Sequence, residues 1–218
     1  MQTPPFPVHL ELEGWELLWV RLEAAPQTPH LQAALAELRR RAAERARAAL
    51  TLETLSAHPT AAAVRRLFKA AGTDPTRYRP SAEALLRRVL KGEELPAIHP
   101  LVDLNNCLSV ILGVPSCTAA EGTFDPPVTL RAGRDGESFE SLRGPLGLAG
   151  KPLLADPAGP FGTPISDGER IRIRDETRRA WLALYLPRGA VSAETARETL
   201  EGLLAEAPVA MVELIAVS

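Results

Sequence analysis

Two adjoining runs decide the fold: Arg79-Pro80-Ser81-Ala82-Glu83-Ala84-Leu85-Leu86-Arg87-Arg88-Val89-Leu90, and Leu95-Pro96-Ala97-Ile98-His99-Pro100-Leu101-Val102-Asp103-Leu104-Asn105-Asn106. In the first, Ser81 after Pro80 is placed to cap a helix, and Glu83 in its first turn suits the helix dipole. Leu85, Leu86, Val89 and Leu90 form its buried stripe, and Gly92 ends it. In the second, Pro100 opens a helix from about Leu101 to Leu112, with Gly113 just past its end. Two adjacent asparagines on that otherwise apolar helix are awkward to bury unless something bonds to them. They are either a structural pair or the lining of a pocket.

Upstream, residues 8–13 alternate apolar and charged side chains, and residues 15–22 are β-prone, so two strands are expected around Gly14. A helix is expected from Leu31 to Leu50, and a shorter one over 61–71, capped by Thr60 and stopped by Gly72. Downstream of Pro115 the texture changes to short strands and turns: 128–132, 137–139, a strictly alternating Arg-Ile-Arg-Ile-Arg at 170–174, and 180–186. Ser192 caps a last helix to about Glu206, and a strand over 209–217 closes the chain. Helices early and strands late predict an α+β fold with mostly antiparallel pairing and packed helices. Residues 1–77 are expected to be a strand and helix extension packed on the core, and 78–218 the main domain.

The 218 residues, 45% apolar and 24% charged, are enough to bury a core. A net charge of −2 argues against a general DNA-binding polycation, so no DNA partner is expected. No uncharged apolar run reaches the roughly 18 residues of a membrane span, and the N-terminus lacks secretory signal features, so no membrane partner and a cytoplasmic location are expected. Cys107 and Cys117 are the only cysteines, and no Cys/His cluster has metal-ligand spacing; no metal and no cofactor are expected.

Charge is uneven. Between Glu37 and Lys91 stand thirteen Lys/Arg against five Asp/Glu, a local excess of +8. Arg65, Arg66, Lys69, Arg87 and Arg88 are the candidates for contact with an RNA backbone. The alternative is a set of solvated helix faces.

The Val102–Asn106 motif, with the capped helix before it, resembles the free-standing members of the B3/B4 domain family, the editing domain of the phenylalanyl-tRNA synthetase beta subunit. The likeness spans about Tyr78 to Leu186, continuing through Leu130-Arg131-Ala132, Gly136-Glu137 and Thr177. It implies an α+β domain with a central site that hydrolyses an amino acid wrongly esterified to tRNA. Where the synthetase reads Val-Asp-Val-Thr-Asn, this chain has Val102-Asp103-Leu104-Asn105-Asn106, placing Asn105 and Asn106 at the two pocket-lining positions. Pro115 matches the pocket proline, Cys117 stands where the synthetase has a histidine, and Gly162-Thr163 fall near its glycine-rich turn. Ala183 occupies the place of the glutamate that recognises the tyrosine hydroxyl, so tyrosine specificity does not carry over.

The resemblance thus implies a substrate pocket of Asp103, Asn105, Asn106, Pro115, Cys117, Gly162 and Thr163, with Asn105, Asn106 and Cys117 as the catalytic candidates. It implies tRNA or aminoacyl-tRNA as partner, the amino-acid moiety as ligand, and hydrolysis of mischarged aminoacyl-tRNA in trans. The alternatives are a module that binds tRNA or an amino acid without turnover, and a small-molecule pocket unrelated to RNA. Read from the residues alone, Asp103 is a structural acceptor for backbone amides or Arg79. Cys117 is a small buried hydrophobe or a nucleophile. His99 serves its loop or acts as a base. Glu83 pairs with Arg87 or works as a catalytic carboxylate. Trp15, Trp19 and Trp181 are core, unless one is exposed to stack a base.

Overall fold

The computed structural model describes residues 2–218. Its centre is an antiparallel sheet in the order β10 (Ala210–Val217), β2 (Trp15–Ala24), β9 (Arg179–Pro187) and β3 (Ser116–Ala120). Side chains alternate along a strand, and β2 and β9 are apolar at both parities, so the sheet is covered on both faces. Leu18, Val20 and Leu22, with Ala180, Leu182, Leu184 and Leu186, point to one side. Trp15, Leu17 and Trp19, with Trp181, Ala183 and Tyr185, point to the other.

The first side is covered by helices: α1 (Pro29–Ala49), α3 (Ser81–Leu90), α4 (Pro100–Leu112) and α5 (Ala193–Glu206). The second side packs on a smaller sheet of β1 (Val8–Leu10), β4 (Val128–Ala132), β7 (Pro152–Asp156) and β8 (Gly159–Gly162). Helix α2 (Pro59–Ala70) contributes Val64 and Phe68 to that layer. All three tryptophans are buried here, as the sequence led us to expect. Phe6 stands edge-on to Trp19 and Trp181, with ring centroids 5.2 and 5.1 Å away. A hairpin of β5 (Ser138–Ser141) and β6 (Gly144–Gly147) forms a separate two-stranded sheet whose Phe139 and Leu146 pack on Leu153 and Ala155 of β7.

The fold is therefore α+β, and the named strands pair antiparallel except for the parallel pair β1–β4. The N-terminal β2 lies inside the main sheet, bonded along its length to β9 and β10. The helix ends read from the sequence at Pro100 and Gly113 hold; Gly113 adopts the left-handed φ of 70° that glycine permits.

Several local expectations need correction. The strand expected over 8–13 stops at Leu10. Residues 170–174 form no strand. Ile171 and Ile173 are buried on opposite layers, so the alternation is real, but a 3-10 turn at Glu169–Ile171 starts the run and no strand pairs with it. Thr60 is not a cap: Pro59 opens α2 and Thr60 is buried in its first turn. Ser81 is likewise the first helical residue of α3, not its cap, because Pro80 occupies the cap position.

Candidate functional site

One cleft, of about 400 Å³, opens between the α3–α4 layer, the free edge of β3, the β5–β6 turn and the loop after β8. Asn105, Asn106 and Ser109 of α4, and Ser81, Leu85 and Arg88 of α3, form its helical wall. Ser116 and Thr118 line it from β3, and Ile165, Ser166 and Asp167 from the loop. Ile98 and Leu142, 60% and 47% exposed, stand among its lining residues as an unusually apolar rim.

The loop owes its shape to Thr163. Its hydroxyl accepts from the amides of Ile165 (3.1 Å) and Ser166 (3.0 Å) and donates to the Ser166 carbonyl (2.9 Å). The Ser81 amide donates to the Pro164 carbonyl at 2.8 Å, tying the loop to α3. The Leu142 amide donates to the Asp167 carbonyl at 3.0 Å, tying it to the hairpin. Asp167 is thereby carried against β3, where its Oδ2 accepts from the Thr118 amide at 3.2 Å. Because β3 is an edge strand, that amide has no strand partner to serve.

Among the described residues, three lining side-chain oxygens are closed off from solvent without a hydrogen-bond partner, Ser81 Oγ, Asn105 Oδ1 and Thr118 Oγ1; Asp167 Oδ1, also closed off, is directed toward the Cys117 thiol behind the lining. Asn105 is 7% exposed and Thr118 4%. Buried oxygens are rarely left unbonded, so their concentration around one opening makes this cleft the candidate site. Burial pushes the Asp167 carboxyl up to about 6, against which the Cys117 thiol and the Thr118 amide pull down.

The sequence-predicted residues separate into two groups. Asn105 and Asn106 line the cleft. Asp103, Pro115, Cys117, Gly162 and Thr163 lie behind its lining, all buried. Asp103 accepts from the amides of Ile98 (2.9 Å) and His99 (3.4 Å) and from Arg39 (2.6 Å), so Arg39 rather than Arg79 is its basic partner. Strand parity turns Cys117 away from the cleft into the layer between the sheets, while its neighbours Ser116 and Thr118 face the opening. Burial raises its thiol well above the ordinary value, the reverse of what a nucleophile needs. His99 caps α4, its Nδ1 accepting from the Leu101 amide at 3.3 Å.

Asp167, Thr118 and Ser81 as site residues escaped the sequence reading. Ser166-Asp167-Gly168 looks like an ordinary polar turn. One signal was available: Gly162 and Gly168 bracket the segment, and a Cβ at either would fall 2.6 Å from a neighbouring atom.

Beside the cleft lies a second depression of about 420 Å³, lined by Arg79, Arg87, Arg88, Lys91 and Arg143 with Glu93. Leu85, Arg88 and Arg143 border both. Of the five proposed RNA-contacting residues, Arg87 and Arg88 line this depression, whereas Arg65, Arg66 and Lys69 do not. Arg65 is drawn instead to the buried Glu83 at 2.8 Å, which also holds Arg79 and Arg87 at 3.5 Å each. Glu83 is therefore an arginine clamp, and its pairing with Arg87 is part of it.

The cleft, mixed in polar and apolar lining, thus lies beside a cationic depression in an α+β domain. The B3/4 domain family model matches residues 63–201, well over half of the chain, and the chain belongs to that family. Among solved structures, an N-terminal fragment of the phenylalanyl-tRNA synthetase beta-subunit from Pyrococcus horikoshii is similar at 12% identity with a TM-score of 0.47. That comparison covers 100% of this chain and 51% of the fragment, so the chain spans about half its length. No match to a curated protein was found.

Proposed function

We propose that the cleft receives the aminoacyl end of a tRNA, and that the adjoining cationic depression takes phosphates of the same molecule. The single observation that carries this is the set of three unbonded oxygens, Ser81 Oγ, Asn105 Oδ1 and Thr118 Oγ1, around one opening. The tRNA part of the reading rests on the likeness of Val102–Asn106 to the synthetase motif. Arg88 and Arg143 support it by bordering both hollows. The apolar rim of Ile98 and Leu142 suits a nucleobase or the side chain of the amino acid.

Turnover would be hydrolysis of the ester. Water, placed by the polar wall and by the vicinal ribose hydroxyl of the substrate, attacks the carbonyl carbon. The ester C–O bond then breaks, releasing free amino acid and tRNA. The burial of both Cys117 and Ala183 favours a second reading, binding without turnover. They occupy the places of the synthetase histidine and glutamate.

Incubation with a panel of mischarged tRNAs separates the two. Accelerated deacylation of at least one species supports hydrolysis. Salt-dependent binding with no acceleration supports the binding module. Absence of both sinks the tRNA reading. Replacing Arg88, Lys91 and Arg143 together with serine should weaken tRNA binding severalfold and flatten its dependence on salt. The pair Arg66 and Lys69, outside the depression, should matter less.

A further inference from the structure

The arginines of the cationic depression are held differently from others in the chain. Arg131 spends both Nη atoms on Glu137, and Arg170 spends both on Asp156. Arg79, Arg87 and Arg88 meet their carboxylates through Nε instead. Arg79 and Arg87 each stand 3.5 Å from Glu83 Oε1, and Arg88 stands 2.8 Å from Glu93 Oε2. Among the described residues, no hydrogen bond engages the Nη atoms of these three. Lys91 and Arg143, on the same lining, form no ion pair among those residues. A guanidinium held by its Nε edge keeps its two Nη groups free, the fork that grips a phosphate.

The two glutamates play different parts. Glu93, its side chain 50% exposed, stands in the hollow among the cations. Glu83, 3% exposed, lies behind the lining, and its Oε2 accepts from Arg65 at 2.8 Å. One guanidinium balances the charge of a buried carboxylate, so Arg65 alone would satisfy Glu83. Charge balance does not account for the two further arginines, four residues before and after Glu83, that share Oε1.

We propose that Glu83 is the positioning residue of a phosphate socket: from behind the lining it holds Arg79 and Arg87 by their Nε edges, so that their Nη groups meet a phosphate in the hollow beside Lys91 and Arg143. The proposal rests on the reading of the depression as a phosphate-binding surface and names what organises it. Arginines held in place before binding lose less side-chain freedom when the anion arrives. Two sources carry this chemistry, the backbone of an RNA and a small phosphorylated molecule.

The sign of one substitution separates positioning from bulk charge. Glu83→Gln takes a negative charge away from beside the hollow, so charge alone would strengthen anion binding. Its neutral amide no longer draws in Arg79 and Arg87, so loss of positioning weakens binding. Glu93 competes with a guest for Arg88 from inside the hollow, so Glu93→Gln should strengthen binding.

The test uses the full chain, with inorganic pyrophosphate and deacylated tRNA as probes, titrated by calorimetry at pH 7 and low salt. Glu83→Gln is expected to weaken binding about 10-fold, as for charge-assisted contacts, and Glu93→Gln to strengthen it by about two- to threefold. The double variant Arg79→Lys with Arg87→Lys keeps every charge and the Glu83 carboxylate, but lysine has no Nε edge to be held by and no fork to present. It should weaken binding severalfold, and it carries the test alone if Glu83→Gln does not fold. Binding that is strengthened or unchanged in Glu83→Gln, or unchanged in the lysine variant, overturns the socket. If tRNA binds and ignores both variants, the socket falls and the tRNA reading stands. If pyrophosphate binding responds as expected while tRNA does not bind, the socket stands, serves a small phosphorylated molecule, and the tRNA reading falls. If neither probe binds, both are overturned.

Discussion

Asp103 and Asp167 are both carboxylates held inside the fold, and burial raises the pKa of both. They differ in what surrounds them. Asp103, 2% exposed, spends both oxygens: Oδ1 on two backbone amides and Oδ2 on Arg39. Asp167 spends Oδ2 on one amide, and its Oδ1, beside the Cys117 thiol, meets no amide or cation among the described residues. The first corner joins α1 to the start of α4. The second stands at the one cleft where other oxygens are also unbonded. Burial and charge are thus common to a structural corner and a candidate site; unspent hydrogen-bonding capacity is what separates them.

The largest effect that sharpens this contrast is expected at the structural corner. Asp103→Ala strands the Arg39 guanidinium and two amides, and removing one member of a buried pair costs about 3 kcal/mol or more. Chemical denaturation should show that loss, and guest binding by any surviving folded fraction should be unchanged. A loss well below 1 kcal/mol would mean that Asp103 is not the clamp its contacts describe.

The two corners were unequally legible in the sequence. Asp103 sits on a helix announced by Pro100 and Gly113, and one turn past His99, so its role as an acceptor of local amides could be read from spacing alone. Its partner Arg39 could not, because α1 meets α4 only through packing across 64 residues. Asn105 and Asn106 were visible as polar residues on an apolar helix. Asp167 was not visible, because only the β5–β6 hairpin and the tie from Ser81 to Pro164 turn an ordinary Ser-Asp-Gly bend inward. Cys117 was located correctly along the chain but not around it. The parity of β3 decides which face it takes, and parity depends on a register that no local pattern in Ser116–Ala120 records. The run at 170–174 shows the converse: its alternation marks a segment between two cores, and the sequence alone does not say that no strand lies beside it.

An intermediate effect probes how the loop is set against β3. At Gly162, a Cβ would lie 2.6 Å from the Cys117 sulfur, which is hemmed in between the sheets. Gly162→Ala should cost about 1–3 kcal/mol as overpacking, and it should loosen the loop that presents Asp167. Adding Cys117→Ala makes room, so the double variant should recover most of the loss in a double-mutant cycle. Additive losses would show that the two atoms are not in contact.

The smallest effect has the opposite sign at the two corners, and so breaks the comparison if it fails. An acid whose folded pKa is raised contributes most below its unfolded pKa, and that contribution is lost as pH rises through the folded value. For Asp167 the window runs from 3.8 up to about 6. By pH 7 the ionised carboxylate therefore strains the empty fold, by at most about 3 kcal/mol and by less where water reaches the residue. Asp167→Asn removes that strain while keeping an acceptor for Thr118. It should raise the melting temperature at pH 7, by an amount worth about 1–2 kcal/mol, and the gain should vanish toward pH 4. A variant that is stabler but binds its guest less well is the mark of a residue kept for a ligand. If the substitution instead destabilises the protein at pH 7, Asp167 holds the fold as Asp103 does, and the distinction between the two corners is lost.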